Sequence, residues 1–121
     1  MNLASISMMV NQQKQALIHE NYNKIYAHEA AHKRAAGSLA GPIVIEKNAE
    51  GIPFAGHVSI KMPRLNETNP EETISQANIV IKSALAPSDP SEQDYKVASQ
   101  AKSIKMQAQN IQNKKGLDYY A

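Results

Sequence analysis

The stretch at residues 26–37, which reads YAHEAAHKRAAG, decides the fold. Its alanine, lysine and arginine favour helix, and Gly37 stands where a helix typically ends. Within it, His28, Glu29 and His32 form an HExxH motif. Residues four apart lie on one helix face, so both imidazoles can bind one zinc ion, with Glu29 beside it as general base. The stretch therefore predicts a helix that carries a metal site.

The segments on either side of the motif predict a long helix followed by a β-hairpin. No proline or glycine occurs from about residue 12 to 36, whereas residues 1–11 lack periodicity and are predicted to be a flexible N-terminus. The β-branched run at 43–45 and the segment 52–60 flank the turn signal NAEG, which is typical of a hairpin. Gly56 is predicted to mark a bulge or a close approach.

Two C-terminal helices are predicted, because a helix-start signal of Asn or Asp followed by Pro occurs twice. Asn69 and Asp89 are the expected N-caps, and each is followed by a proline at the first helical position. The second helix is expected to end near Gly116, which leaves residues 117–121 as a tail. The predicted fold is α+β: one small zincin-like domain over residues 12–116, with the HExxH helix beside the hairpin and two helices as scaffold.

Composition limits the kind of core and of partner. The 121 residues are enough for one domain, but aromatic residues make up only 5%, so a large core is not expected. The net charge is +2 and the basic residues are dispersed, which argues against nucleic-acid binding. No cysteine is present, so thiolate metal ligands are excluded. No apolar run reaches a transmembrane length and no convincing signal peptide is visible, which favours a cytoplasmic location.

A third metal ligand has to come from outside the motif, because catalytic zinc normally has three protein ligands and one open position. His19 lies nine residues before His28, about 13 Å along a continuous helix at about 1.5 Å per residue, which is too far. His57, on the second hairpin strand, is the first choice, and Glu46, on the first strand, is the reserve. Four tyrosines or a hairpin N–H are candidates for oxyanion stabilisation; the tyrosines are Tyr26, Tyr95, Tyr119 and Tyr120.

Residues 26–109 resemble the SprA-related family of bacterial zinc metalloproteases. The resemblance rests on five segments, AHEAAH at 27–32, AAG at 35–37, GHVSI at 56–60, NPEETI at 69–74 and ALAPSDPSEQD at 84–94. In that family the position of His57 is often Glu, which also ligates zinc, and the position of Lys61 is often acidic. The resemblance implies zinc peptidase chemistry on a peptide or protein substrate.

Motif and resemblance together predict metal-assisted peptide hydrolysis. Zinc on His28, His32 and His57 would activate a water molecule, and Glu29 would accept its proton. The alternative is a non-catalytic zinc-binding or helical protein-interaction module, because the long C-terminal helix carries a near-heptad apolar stripe.

Overall fold

The first helix, α1, occupies Leu3–Ala36 in the computed structural model, which describes residues 2–120 and the side chains as far as residue 116. The Asn2 side chain caps it by accepting a hydrogen bond from the Ser5 N–H at 2.9 Å. It ends as predicted before Gly37, whose φ is 58° and whose N–H donates to the Lys33 carbonyl. The helix starts nine residues earlier than predicted, at Leu3 instead of residue 12. Residues 3–13 are exposed, so this part of α1 has no core-facing stripe that would mark it as a packed helix.

The predicted β-hairpin is confirmed. Strands β1 (Ala40–Lys47) and β2 (Pro53–Ile60) pair antiparallel, with Val44 opposite His57. Asn48 holds the turn between them, because its side-chain oxygen accepts from the N–H groups of Glu50 and Ile52 at 2.9 and 3.0 Å. Within the described residues this is a two-stranded sheet, and it packs across α1.

At Gly56, β2 lies close against α1; of the two roles predicted for this glycine, the close approach is confirmed, and the strand pairing runs through it without a bulge. A Cβ at this position would overlap the Ile25 side chain and would lie 3.1 Å from Glu29 Cγ. The absence of a side chain at residue 56 therefore lets the strand lie directly against the motif helix.

We expect Gly56→Ala to lower the free energy of unfolding by about 1–3 kcal/mol, because strand and helix must separate to admit the methyl group. Chemical denaturation followed by circular dichroism measures the change. Gly116→Ala is the matched control: a Cβ there meets nothing within 4 Å, and alanine favours helix. Equal stability of Gly56→Ala and the native protein would contradict the close approach.

Helices α2 (Pro70–Ala84) and α3 (Glu92–Tyr120) pack along each other and complete the scaffold. Their shared core consists of small residues, which permit close helix packing; the buried members are Ala77, Val80, Ala84, Ala98, Ala101 and Ala108. The predicted α+β class, with two C-terminal helices, is confirmed. Among the described residues, no helix is both long and apolar enough to cross a membrane.

Both ends of α3 differ from the prediction, because the helix starts later than expected and continues to Tyr120, past the expected end near Gly116 and through most of the predicted tail. The helix begins at Glu92, so its N-cap is Ser91 and not Asp89. Ser91 Oγ accepts from the Asp94 N–H at 3.1 Å, and Asp94 Oδ2 accepts from the Ser91 N–H at 2.8 Å. This reciprocal capping box satisfies two backbone donors at once. Asp89 consequently lies in the loop before α3, where its side chain is available for other contacts.

Candidate metal centre

The motif residues form a compact cluster on α1. His28, Glu29 and His32 each present one ligand atom, and these atoms lie within 4.8 Å of one another, so the group could hold a metal ion. The Nε2 atoms of the two histidines are 3.2 Å apart, as the spacing of four residues requires. Glu29 and His32 are buried, with 8% and 5% of their surfaces exposed. The sequence prediction that these three side chains converge is therefore met.

A fourth side chain, Asp94, reaches the same point from the first turn of α3. Its Oδ2 is 3.1 Å from His28 Nε2, and its Oδ1 is 3.1 Å from His32 Nε2. The side chain is 15% exposed and is held in place by the capping box with Ser91. Sequence reasoning missed this residue, although the Ser-x-x-Asp pattern at residues 91–94 indicates the cap that orients it.

The outer nitrogens of both imidazoles face acceptors. His32 Nδ1 lies 2.7 Å from the Ser83 carbonyl oxygen, and His28 Nδ1 lies 3.2 Å from Asp89 Oδ1. A carbonyl and a carboxylate only accept hydrogen bonds, so both Nδ1 atoms carry the proton and donate it. Ser83 also donates its hydroxyl proton to the His32 carbonyl at 2.7 Å, which ties α2 to the motif.

These outer contacts determine the chemistry of the inner atoms. In a neutral imidazole protonated at Nδ1, Nε2 bears a lone pair. The two Nε2 atoms of His28 and His32 then converge with the Asp94 carboxylate as three electron-pair donors about 3.1–3.2 Å apart. Such a set repels itself unless a positive charge, either a proton shared with the carboxylate or a metal ion, stands between its members. Imidazole nitrogen and carboxylate oxygen are ligands that zinc takes in proteins, so the residues present fit that metal.

The electrostatic environment of His28 is also that of a cation site. Burial lowers the pKa of His28, but the Asp89 hydrogen bond and the negative charges of Asp94, Glu29 and Asp89 outweigh burial and raise it. Three carboxylates around one imidazole stabilise positive charge at this position, whether it is carried by a proton or by a metal ion.

The structure does not bring His57 or Glu46 to this cluster. Side chains alternate across a strand, and Gly56 occupies the position that faces α1, so His57 points to the other face. Its side chain is 56% exposed, and its Nδ1 is 3.9 Å from Glu46 Oε1. The placement gives no support to either residue as the third ligand. His57 and Glu46 instead form a surface pair on the outer face of the hairpin.

A cavity of about 590 Å³ opens over the cluster. Its walls are the motif side of α1, the loop before α3, and β2, of which the four consecutive residues 55–58 line it. Because side chains alternate along a strand, four consecutive lining residues mean that the edge of the backbone borders the cavity. The apolar remainder of the wall includes Ile25, Val80 and Val97. The size lies in the range of small-ligand sites.

The tyrosines considered as oxyanion donors do not border this cavity where their side chains are described. Tyr26 stacks on Tyr22 with ring centroids 5.9 Å apart, and Tyr95 is 58% exposed. The side chains of Tyr119 and Tyr120 lie outside the described part of the chain. The β2 backbone is the remaining sequence candidate beside the cavity.

Comparisons of the chain with protein families, curated proteins and solved structures find no match.

Proposed function

We propose that this protein is a zinc-dependent metallopeptidase in which His28 and His32 bind the metal and Glu29 is the general base. The observation that carries the proposal is the convergence of the two Nε2 atoms, 3.2 Å apart, beside a buried glutamate at the edge of a cavity. The HExxH motif requires this arrangement for hydrolysis. The zincin-like fold and membership of the SprA-related family belong to the same proposal, as does a cytoplasmic location.

In this proposal each residue has a separate task. A bound zinc ion supplies a Lewis acid that polarises water and the scissile carbonyl. Glu29 accepts a proton from the attacking water and passes it to the leaving amine. The Ser83 carbonyl and the Asp89 carboxylate fix both imidazoles with Nε2 toward the metal position, which spares the site the cost of orienting them during binding.

The β2 edge offers a way to hold an extended substrate. The sheet has two strands within the described residues, so β2 has one edge with no strand partner there, and residues 55–58 bring the strand to the cavity. A peptide paired with such an edge would receive main-chain hydrogen bonds along its length. Its scissile bond would then lie over Glu29, next to the position at which Gly56 permits the close approach.

We expect the zinc-loaded protein to cut a mixture of unstructured peptides and to stop when a chelator removes the metal. Mass spectrometry of the products identifies new termini, and re-addition of zinc to the dialysed protein should restore cleavage. If the zinc-loaded protein produces no new termini, or if chelation leaves cleavage unchanged, the peptidase proposal is wrong.

A non-catalytic interaction module is the second candidate. It is favoured by the exposed apolar residues on the first part of α1, among them Leu3, Ile6 and Val10, with exposed fractions of 83%, 46% and 56%. Such a row could bind a partner helix. A protein that binds zinc, cuts no peptide and forms a stable complex through this row would establish this candidate over the first.

A further inference from the structure

We propose that Asp94 is the third protein ligand of the metal site, in place of a hairpin residue. This assignment rests on the metal site of the proposed function and does not depend on which bond the protein cuts. The observation behind it is that the Asp94 carboxylate bridges the two imidazoles, with one oxygen 3.1 Å from each Nε2.

The distances are close to those of a metal coordination shell. Ligand atoms about 2.0–2.2 Å from a tetrahedral zinc ion lie about 3.3–3.6 Å apart. The three separations among His28 Nε2, His32 Nε2 and the nearest Asp94 oxygens are 3.1, 3.1 and 3.2 Å, slightly shorter than this edge. The two Asp94 contacts are made by different oxygens, so ligation by one of them requires a small turn of the carboxylate together with an outward movement of the imidazoles.

The position of the Asp94 carboxylate is also fixed by the fold. The capping box fixes its carboxylate at the start of α3, because Oδ2 accepts from the Ser91 N–H at 2.8 Å. A carboxylate anchored by one backbone hydrogen bond keeps lone pairs for a second interaction. Its side chain is 15% exposed, so the carboxylate is largely withdrawn from water and needs a cationic partner.

Three protein ligands leave room for water. With His28, His32 and Asp94 as ligands, the fourth position of a tetrahedral site stays open, which is the arrangement of catalytic zinc. The three ligands and Glu29 line the same cavity, so an open position that faces this cavity is within reach of the proposed general base. Asp89 and the Ser83 carbonyl are then positioning groups, which act through the imidazoles.

We expect Asp94→Asn to raise the dissociation constant for zinc alone by about 100-fold or more, because loss even of an outer-shell partner costs about 10–100-fold. The substitution preserves shape and an oxygen that can accept from the Ser91 N–H, so the cap and the fold should persist. Competition with a chromophoric chelator measures the affinity, and circular dichroism checks the helix content.

Two control variants separate ligation from other effects. Glu92→Gln removes the same charge from the same helix start at an exposed position, and His57→Ala removes the rival ligand; both should bind zinc as the native protein does. If Asp94→Asn keeps native affinity, or if His57→Ala loses it, the assignment of Asp94 is wrong while the metal site stands. If the native protein itself fails to bind zinc, both the assignment and the proposed function fall.

Discussion

Glu29→Gln is expected to abolish peptide cleavage while the protein keeps its zinc. The amide has the shape of the carboxylate but cannot accept the proton of the attacking water, and loss of a general base lowers the rate by about 10²–10⁴-fold. That range corresponds to about 3–5 kcal/mol of transition-state stabilisation. Cleavage rates of the zinc-loaded native and variant proteins, measured on the same peptide, give the ratio.

Zinc analysis of the Glu29→Gln protein distinguishes the loss of the general base from the loss of the metal or of the fold. Zinc content per chain should stay at the native level, because Glu29 is the base in this mechanism and not a ligand. Glu50→Gln, an identical change at an exposed turn position, should leave the rate unchanged. A Glu29→Gln protein that cuts as fast as the native one would remove Glu29 from the mechanism.

His28→Ala is expected to remove zinc binding. His28 is the better test of the two histidines, because its side chain is 20% exposed, whereas His32 is 7% exposed and its loss would also disturb packing against α2. Removal of one ligand should weaken zinc binding more than about 100-fold, beyond the range seen for outer-shell partners. Elemental analysis after gel filtration gives the zinc content per chain.

Thermal unfolding provides an independent readout of the same change. A ligand at 100 times its dissociation constant stabilises a folded protein by about 2.7 kcal/mol, which for a chain of this size raises Tm by roughly 10 °C. We expect this zinc-dependent rise in the native protein and in His19→Ala, an exposed histidine on the same helix, but not in His28→Ala. An equal rise in His28→Ala would show that zinc binds elsewhere.

Local features of the fold could be predicted because neighbouring residues decide them. The end of α1 before Gly37, the hairpin turn at Asn48 and the convergence of His28 with His32 all follow from spacing within a few residues. The early start of α1 was missed because its first residues, which Asn2 caps, are exposed and form no core-facing stripe.

His57 is excluded from the cluster by the geometry of strand β2. Gly56 was predicted to mark a bulge or a close approach, and in the structure it faces Ile25 and Glu29 on the motif helix. Because adjacent residues of a strand point to opposite faces, a Gly56 turned toward α1 sends His57 away from it. Because the pairing at Gly56 is regular and has no bulge, this alternation holds and places His57 on the face away from α1.

The motif helix, the hairpin and the pair of imidazoles on one helix face follow from short-range patterns in the amino-acid sequence. What completes the cluster depends on tertiary packing: Ser83, Asp89 and Asp94 contact the motif histidines from 51, 61 and 66 residues away. Those contacts exist because α2 and α3 pack through alanines and bring the start of α3 against α1. Packing of this kind depends on the whole chain, and no local pattern encodes it.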